Sequence, residues 1–486
     1  MSTLTQSLPA LGRAPLAVPT AAFEVLGYLG FVGIGTLCFL LGWLTPDGAG
    51  VLTVLLLASL IVLAWKRFDQ GRHPCFLFLC TLMFFQGGGL LAHCLGADND
   101  PLRMQLFTPN PFYVSRDAAG IVLLALALTA ICIYAPCRWN YRKLPPPSDA
   151  EVRRYLPYLY LVYFCSIPFQ AFKNYCYFDY VQQHGGYLAI YLNYAGLASS
   201  VPLFVRAIAV ITLPAFLAIF VFEPRKKLLF LTTAVYLVTA SLLLLMGTRL
   251  AVFGLILTLW YVARVKSTRK SRIVALVVSV LVLTVVADII QKNREDPDSN
   301  RKYEFLPLEF LATQGVSLNV TEVAVQYREM FRRHVGSYLF NALGSAFAAN
   351  DTRNYSQGKS LDYDVSVFLN PGMFSSGYGV GTSYVDEAYL IGGIGGVVAI
   401  SLLIGVGLHL AHRFSKNVRS LFVVALVLPV VLVMPRNGLL HWVSVLMRSA
   451  ILIALLGLGW QLYSLLTSIR QKPLSDGSIV ATAVVR

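Results

Sequence analysis

Residues 385–412 read VDEAYLIGGIGGVVAISLLIGVGLHLAH. Two carboxylates stand at the start of this stretch, and glycine and aliphatic residues dominate the rest of it. An α-helix rises about 1.5 Å per residue, so a run of this length can cross a hydrocarbon layer of about 30 Å. The stretch therefore predicts a membrane helix whose first turn carries Asp386 and Glu387.

The composition of the whole chain places it in the same class. Of its 486 residues, 57% are hydrophobic and only 13% are charged, which leaves too little polar surface to cover a soluble domain. The apolar residues occur in continuous runs, whereas a membrane β-barrel needs alternating ones. We therefore predict an all-α polytopic membrane protein with about twelve transmembrane helices.

The predicted spans divide the chain into five parts. They cover residues 21–45, 48–65, 75–95, 117–136, 155–172, 203–222, 228–246, 250–264, 273–290, 385–412, 420–434 and 443–466. Residues 1–20 precede the first nine helices (21–290), a large polar loop covers 291–384, the last three helices cover 385–466, and a tail covers 467–486. The large loop is the only connection long enough to have a fold of its own.

The net charge of +15 is interpreted as topology rather than as a sign of nucleic-acid binding. Basic residues cluster in alternate connections, at 66–72, 138–154, 225–227, 266–272 and 413–419. Connections rich in Lys and Arg face the cytoplasm. Both termini are then predicted to be cytoplasmic, and the 291–384 loop is predicted to face outward.

The cysteines predict neither a metal nor a cofactor. All eight lie in the first 176 residues, mostly in or beside predicted spans, and none has a spacing typical of zinc ligands. We interpret them as small apolar packing residues.

Arginines at one predicted depth point to an anionic ligand. Arg206, Arg249, Arg436 and Arg448 fall at or just inside the outer ends of predicted spans. A buried arginine is costly unless it is paired, so it suggests a function by default. The alternative is that each arginine reaches lipid phosphates or pairs with Glu24 or Asp288.

The large loop adds more cations to this level. Apolar residues at helical spacing in 304–333 predict at least one amphipathic helix, which ends in Arg328, Arg332, Arg333 and His334. Guanidinium groups bind pyrophosphate bidentately and stay charged at physiological pH. A turn-like, aromatic segment after Gly344 could contact sugar rings.

Two motifs in this layout resemble a known family. They are the Gly-Thr-Arg-Leu turn at 247–250 and the run from Tyr384 to Leu390 that leads into Gly392 and Gly395-Gly396. With the large outer loop, they resemble the Wzy family of O-antigen and related polysaccharide polymerases of bacterial inner membranes, over roughly residues 20–465. Related O-antigen ligases have a His-Asn-type motif before a comparable glycine-rich helix, and Glu387 stands at that place here.

The resemblance implies a GT-C-like, metal-independent glycosyltransferase in the inner membrane. It would transfer the growing glycan from undecaprenyl pyrophosphate to the next lipid-linked repeat unit on the periplasmic side. Its partners would be lipid-linked glycans, membrane lipids and a chain-length co-polymerase, without nucleic acid. The alternatives are an O-antigen ligase or other lipid-linked-sugar transferase, and a flippase or transporter, which would usually show repeats and short loops.

The same resemblance suggests residue roles. Glu387 is the first candidate for the base that takes the acceptor proton, followed by His334, with Asp386 and His441 behind it. Tyr384 and Tyr389 are secondary candidates beside them. The pyrophosphate would be bound by arginines drawn from Arg206, Arg249, Arg328, Arg332, Arg333, Arg436 and Arg448.

Overall fold

The computed structural model describes residues 18–97, 103–104, 112–139, 141–147, 152–184, 194–246, 249–267, 306–347, 357–375 and 379–471. These residues form helices apart from one antiparallel pair of two-residue strands, β1 (Arg103–Met104) and β2 (Phe112–Tyr113). The predicted all-helical class is therefore confirmed for the part of the chain described. The predicted span at 273–290 and the Gly247-Thr248 turn lie outside the described residues.

Nineteen α-helices occur in the described part of the chain. In chain order they are α1 (Val18–Leu40), α2 (Pro46–Arg67), α3 (Pro74–Phe85), α4 (Gly88–Cys94), α5 (Arg116–Trp139), α6 (Leu156–Gln183), α7 (Tyr194–Ser199), α8 (Leu203–Phe222), α9 (Lys226–Leu245), α10 (Arg249–Lys266), α11 (Leu306–Gln314), α12 (Val316–Gln326), α13 (Arg328–Arg332), α14 (Val335–Phe347), α15 (Leu361–Leu369), α16 (Pro371–Ser375), α17 (Tyr384–Phe414), α18 (Val418–Leu432) and α19 (His441–Gln471). Short 3-10 turns cover Arg153–Tyr155 and Met434–Arg436.

Several of these helices are long and apolar enough to cross a membrane. Among the described residues, eight helices meet this condition, namely α1, α2, α5, α8, α9, α17, α19, and α18 together with the 3-10 turn that follows it (Val418–Arg436). The chain is therefore a multi-pass membrane protein. The predicted spans at 155–172 and 250–264 are the helices α6 and α10, and the total number of spans stays a prediction.

The span predicted at 75–95 is not one straight helix. It consists of α3 and α4, which together are long and apolar enough to cross but are bent by 68° at the connection between them. The bend falls at Gln86 and Gly87. Just after the bend the backbone packs closely against α11, since a β-carbon at Gly88 would lie 2.7 Å from the carbonyl oxygen of Leu311.

The central helix pair is α5 and α17. A β-carbon at Gly405 of α17 would lie 2.7 Å from the carbonyl oxygen of Ile133 and 3.0 Å from that of Cys132, both in α5. Glycine therefore lets the two backbones touch, as small residues do at helix interfaces in membranes. The fully buried Ile133 and Tyr134 extend the core along the same helix.

Helix α17 is broken once, shortly after it begins. Gly392 has φ −142° and ψ 20°, and Gly393 has φ 60° and ψ −147°. The backbone of Gly393 is in a region that only glycine adopts readily. The glycine-rich segment noted in the sequence is thus a break between a short first segment, 384–391, and a longer second one.

Helices α11 to α16 belong to the loop predicted to face outward, and we call them the outer helices. They have a small core of their own, which includes part of α17. Val320, Val323 and Phe331 of α12 and α13 pack with Tyr338, Leu361 and Val365. Leu390, from the first segment of α17, is a fully buried member of the same core. The amphipathic stretch predicted in 304–333 is three short helices, and this core fixes them against the start of α17.

Candidate active site at the start of the broken helix

A capping box fixes the first turn of α17. The N–H of Val385 donates to the hydroxyl of Ser383 at 3.2 Å, and the N–H of Ser383 donates to the carboxylate of Asp386 at 2.8 Å. The hydroxyl of Thr321, in α12, donates to the other oxygen of Asp386. Asp386 is fully buried. Its carboxylate therefore caps the helix and ties it to the outer helices.

Glu387 points to a different neighbour. Its Oε2 accepts a hydrogen bond from the backbone N–H of Leu439 at 2.7 Å, and its side chain is almost entirely buried. Gly438 leaves room for this contact, since a β-carbon there would lie 2.9 Å from Oε1 of Glu387. Glu387 thus sits against the connection that joins α18 to α19, between Arg436 and His441.

Arg436 is held from two sides in that connection. Its Nη1 donates to the side-chain Oε1 of Gln314 at 2.6 Å and to the carbonyl oxygen of the same residue at 3.3 Å. Its guanidinium carbon lies 5.7 Å from the centre of the Phe85 ring. A cation over an aromatic face gains about 0.5–2 kcal/mol, depending on how dry the contact is. Arg436 is half-buried and oriented before any ligand arrives.

Gln86, at the bend between α3 and α4, connects the two sides of this site. Its Nε2 donates to the carbonyl oxygen of Pro435 at 3.0 Å, and its Oε1 lies 3.4 Å from the hydroxyl oxygen of Thr321, whose nearer acceptor is Asp386. We call Gln86, Thr321, Asp386, Glu387 and Arg436 the rim cluster. Asp386, Thr321 and Gln86 thus lie in one polar group that ends at the backbone of Pro435, while Arg436, in the same connection, and Glu387, which contacts it, form separate hydrogen bonds.

Arg328 lies next to the rim cluster, at the break in α17. Its guanidinium carbon is 5.5 Å from the centre of the Tyr389 ring, and a β-carbon at Gly393 would lie 3.9 Å from its Nη2. Its Nε is buried and has no hydrogen-bond partner in the described part of the chain. Arg332 and Arg333 follow it and are exposed. This donor beside the break can bind an anionic group.

His334 lies on the outer helices instead. It is exposed, and its Nδ1 would lie 3.1 Å from a β-carbon at Gly358, which has φ +71°. Four residues later, Tyr338 donates to Asp364 at 2.6 Å. Burial, then this hydrogen bond, and then the charges of Asp364 and Glu387 raise the pKa of Tyr338. The charge of Glu387 is thus felt at Tyr338, one helical turn from His334.

The structure also shows where the other predicted site residues lie. Arg249 begins α10, and Phe253, one turn later, lies with its ring centre 5.6 Å from that of Phe85, the residue beneath Arg436. Tyr384 is fully buried, with its ring 6.1 Å from that of Phe78. His441 is the first residue of α19. The half-buried Arg206 and Arg448 are on α8 and α19, and their role stays a prediction.

Sequence reasoning missed Gln86, Thr321 and Gln314. Gln86 is a single polar residue between apolar segments, whereas Gln314 and Thr321 lie seven residues apart in the amphipathic part of the loop, among other polar residues. Only Gln86 had a usable signal, because it is a polar residue between two strongly apolar helices and precedes three glycines.

Fold and site together define a multi-pass membrane protein with a buried polar cluster at the start of a broken helix. The model of the family described as O-antigen polysaccharide polymerase Wzy matches residues 28–465, nearly the whole chain. The chain therefore belongs to this family, and the resemblance seen in its motifs is confirmed. Neither a curated protein nor a solved structure matches it. Membership assigns the chain to the polymerising glycosyltransferases, which act on lipid-linked oligosaccharide repeat units.

Proposed function

We propose that the rim cluster joins repeat units carried on undecaprenyl pyrophosphate, on the periplasmic side of the inner membrane. In this reaction a hydroxyl of the incoming lipid-linked unit forms a bond to the anomeric carbon of the growing glycan. The bond from that carbon to the pyrophosphate breaks, and undecaprenyl pyrophosphate leaves with the electron pair. The hydroxyl proton passes to a base. The observation that carries the proposal is that a buried carboxylate, Glu387, and a guanidinium held by Gln314, that of Arg436, both lie at the short connection between α18 and α19.

Glu387 is the base in this proposal. Asp386 is less suited, because its two oxygens already accept from Ser383 and Thr321 in the capping box. Glu387 is not part of the capping box, and its Oε2 accepts from the N–H of Leu439 in the connection that also carries Arg436. The position in the first turn of α17 favours the charged carboxylate, which is the form that accepts a proton. His441 begins the neighbouring helix and ranks behind it, with His334 farther out on the loop.

Arginines take the place of a metal ion in this proposal. Negative charge develops on the departing pyrophosphate, and fixed cations stabilise it without reorganisation. Arg436 is held by Gln314 and Phe85, while Arg328 has a buried Nε–H available at the break of α17. Arg249 begins the helix that packs on the same aromatic group. These three are the donors we assign to the pyrophosphate, and exposed Arg332 and Arg333 would guide its approach.

The test compares Glu387→Gln with Asp386→Asn in purified protein given lipid-linked repeat units. Loss of a general base lowers a rate by about 100- to 10,000-fold, so Glu387→Gln should stop chain extension while substrate binding persists. Asp386→Asn should weaken the helix cap by about 0.5–2 kcal/mol and leave measurable extension. Near-normal turnover by Glu387→Gln would move the role of base to another group.

The product distinguishes a polymerase from its nearest rivals. A polymerase given a single lipid-linked repeat unit should produce a ladder of longer lipid-linked glycans, since each product is a new donor. A ligase would leave that substrate unchanged until lipid A core is added, and a flippase would only move it across a bilayer. Absence of a ladder with active, folded protein would contradict the proposed function.

A further inference from the structure

A second polar group lies at the other end of α17, away from the rim cluster. His73 is the N-cap residue of α3, Cys75 is in the first turn of that helix, and Cys137 is near the end of α5. All three side chains are fully buried. One potential metal-ligand atom from each residue lies within 4.8 Å of those of the other two.

Two histidines of α17 adjoin these residues. The ring of His412 lies 4.6 Å from that of His73, and the ring of His409 lies 5.9 Å from it, centre to centre. The Nε2 of His412 is 3.1 Å from the carbonyl oxygen of Arg142, so Nε2 carries the proton and Nδ1 keeps a lone pair.

The hydrogen bonds of this group are incomplete. Among the described residues, Nε2 of His73 is buried without a hydrogen-bond partner, and Nδ1 of His412 and the ring nitrogens of His409 have only poorly aligned contacts with the backbone of Arg72 and Cys137. Buried polar atoms in folded proteins are almost always satisfied. Three imidazoles with poorly satisfied nitrogens beside two buried thiols are therefore a feature that a ligand would explain.

We propose that Cys75, Cys137 and His73 bind one transition-metal ion, Zn²⁺ or Cu⁺, with His412 or His409 as a fourth ligand. Thiolate and imidazole ligands select these ions, whereas oxygen ligands select Mg²⁺ or Ca²⁺. Two thiolates cancel the charge of Zn²⁺, so the site stays neutral among apolar helices. The contact from His412 to Arg142 fixes the tautomer that leaves Nδ1 free to ligate, as outer hydrogen bonds do in known metal sites.

Binding removes two protons and changes two contacts. Both thiols lose their protons to solvent, and the thiol of Cys137 gives up its hydrogen bond to the carbonyl oxygen of Gly405, now 3.3 Å long. In the structure, Nδ1 of His73 accepts a hydrogen bond from the N–H of Cys75 at 3.1 Å. A neutral imidazole has a single nitrogen lone pair that can accept a hydrogen bond or bind a metal. Ligation through either ring nitrogen of His73 therefore breaks the hydrogen bond from Cys75 that caps α3.

The ion would fasten three helices together, namely the start of α3, the end of α5 and the end of α17. Since α17 carries the rim cluster at its opposite end, the ion would support the scaffold rather than take part in glycan transfer. The proposal therefore does not depend on the proposed function, and either can fail alone.

The test uses the full-length chain, purified in detergent with reduced thiols and loaded with Zn²⁺. After gel filtration removes unbound metal, we expect elemental mass spectrometry to find one Zn²⁺ per chain. Cys75→Ser and Cys137→Ser should each weaken Zn²⁺ binding by more than about 100-fold, because a ligand matters at least as much as an outer-shell contact. Cys80→Ser on α3 and Cys132→Ser on α5 are the matched controls and should keep the metal.

A measurement on the unaltered chain guards against variants that fail to fold. Co²⁺ in place of Zn²⁺ should give thiolate-to-cobalt charge-transfer absorption and the visible bands of a tetrahedral site. A Co²⁺ spectrum without thiolate bands would overturn the proposal. So would failure to retain any metal, or equal Zn²⁺ retention by Cys75→Ser, Cys137→Ser and the controls.

Discussion

Substitution of Gly393 by alanine tests whether the break in α17 is built into the native structure. Gly393 has φ 60° and ψ −147°, which a residue with a β-carbon adopts only at a cost of about 1–3 kcal/mol. Space does not limit the change, because the nearest atom to an added β-carbon is Nη2 of Arg328 at 3.9 Å. The penalty is therefore a backbone penalty.

Gly395→Ala is the matched control, two residues farther along the same helix. Nothing lies within 4 Å of a β-carbon at Gly395, and its backbone is helical. Alanine is favoured over glycine there by about 1 kcal/mol. The two variants should therefore differ by about 2–4 kcal/mol in free energy of unfolding, with Gly393→Ala the less stable.

Unfolding by a denaturing detergent in mixed micelles would measure this difference. Chain extension should also fall in Gly393→Ala, since the break sets the position of Tyr389 beneath Arg328. Equal stability of the two variants would show that α17 passes through 393 as an ordinary helix and would refute the reasoning.

Contacts and charges elsewhere in the molecule lead to three more predictions. Arg436→Lys should lose most of the chain-extension rate while the protein stays folded, because an ammonium keeps the charge but not the planar contact with Gln314 and Phe85. Full activity would show that only a positive charge is needed at this position. Glu24→Gln should lower the free energy of unfolding by about 1–3 kcal/mol, since the carboxylate forms ion pairs with one arginine of α2 and one of α5. An unchanged free energy of unfolding would show that these ion pairs do not stabilise the fold. Cysteines introduced at Ser356 and Ser267 should be labelled from the periplasm and the cytoplasm, respectively, and the reverse pattern would overturn the topology.

The separation of the two acidic residues could be anticipated from the sequence. Neighbouring residues on a helix point about 100° apart, which predicts that Asp386 and Glu387 have different partners. The structure confirms it, with Asp386 in the capping box and Glu387 against Leu439. The helix start was also predicted within one residue, since the first helical residue is Tyr384.

The bend between α3 and α4 could not be predicted in the same way. Hydropathy measures whether a stretch prefers lipid, and 75–95 prefers it throughout. The bend is accompanied by a contact between the backbones of Leu311 and Gly88, and hydropathy carries no information on such a contact because these residues are far apart in the chain. Gln86 enters the site for the same reason, because its partners Thr321 and Pro435 come from two distant segments.

The contact between Gly88, Gly89 and Gly315 has a consequence for how a substrate binds. A β-carbon at Gly315 would collide with the backbone of Gly89, so these two segments of the chain meet without any side chain between them. Separation of the junction of α11 and α12 from α4 would expose backbone peptide groups that are in contact in the structure. Separation at this contact would lose close backbone packing, so we expect the junction of α11 and α12 to stay against α4 when a substrate binds.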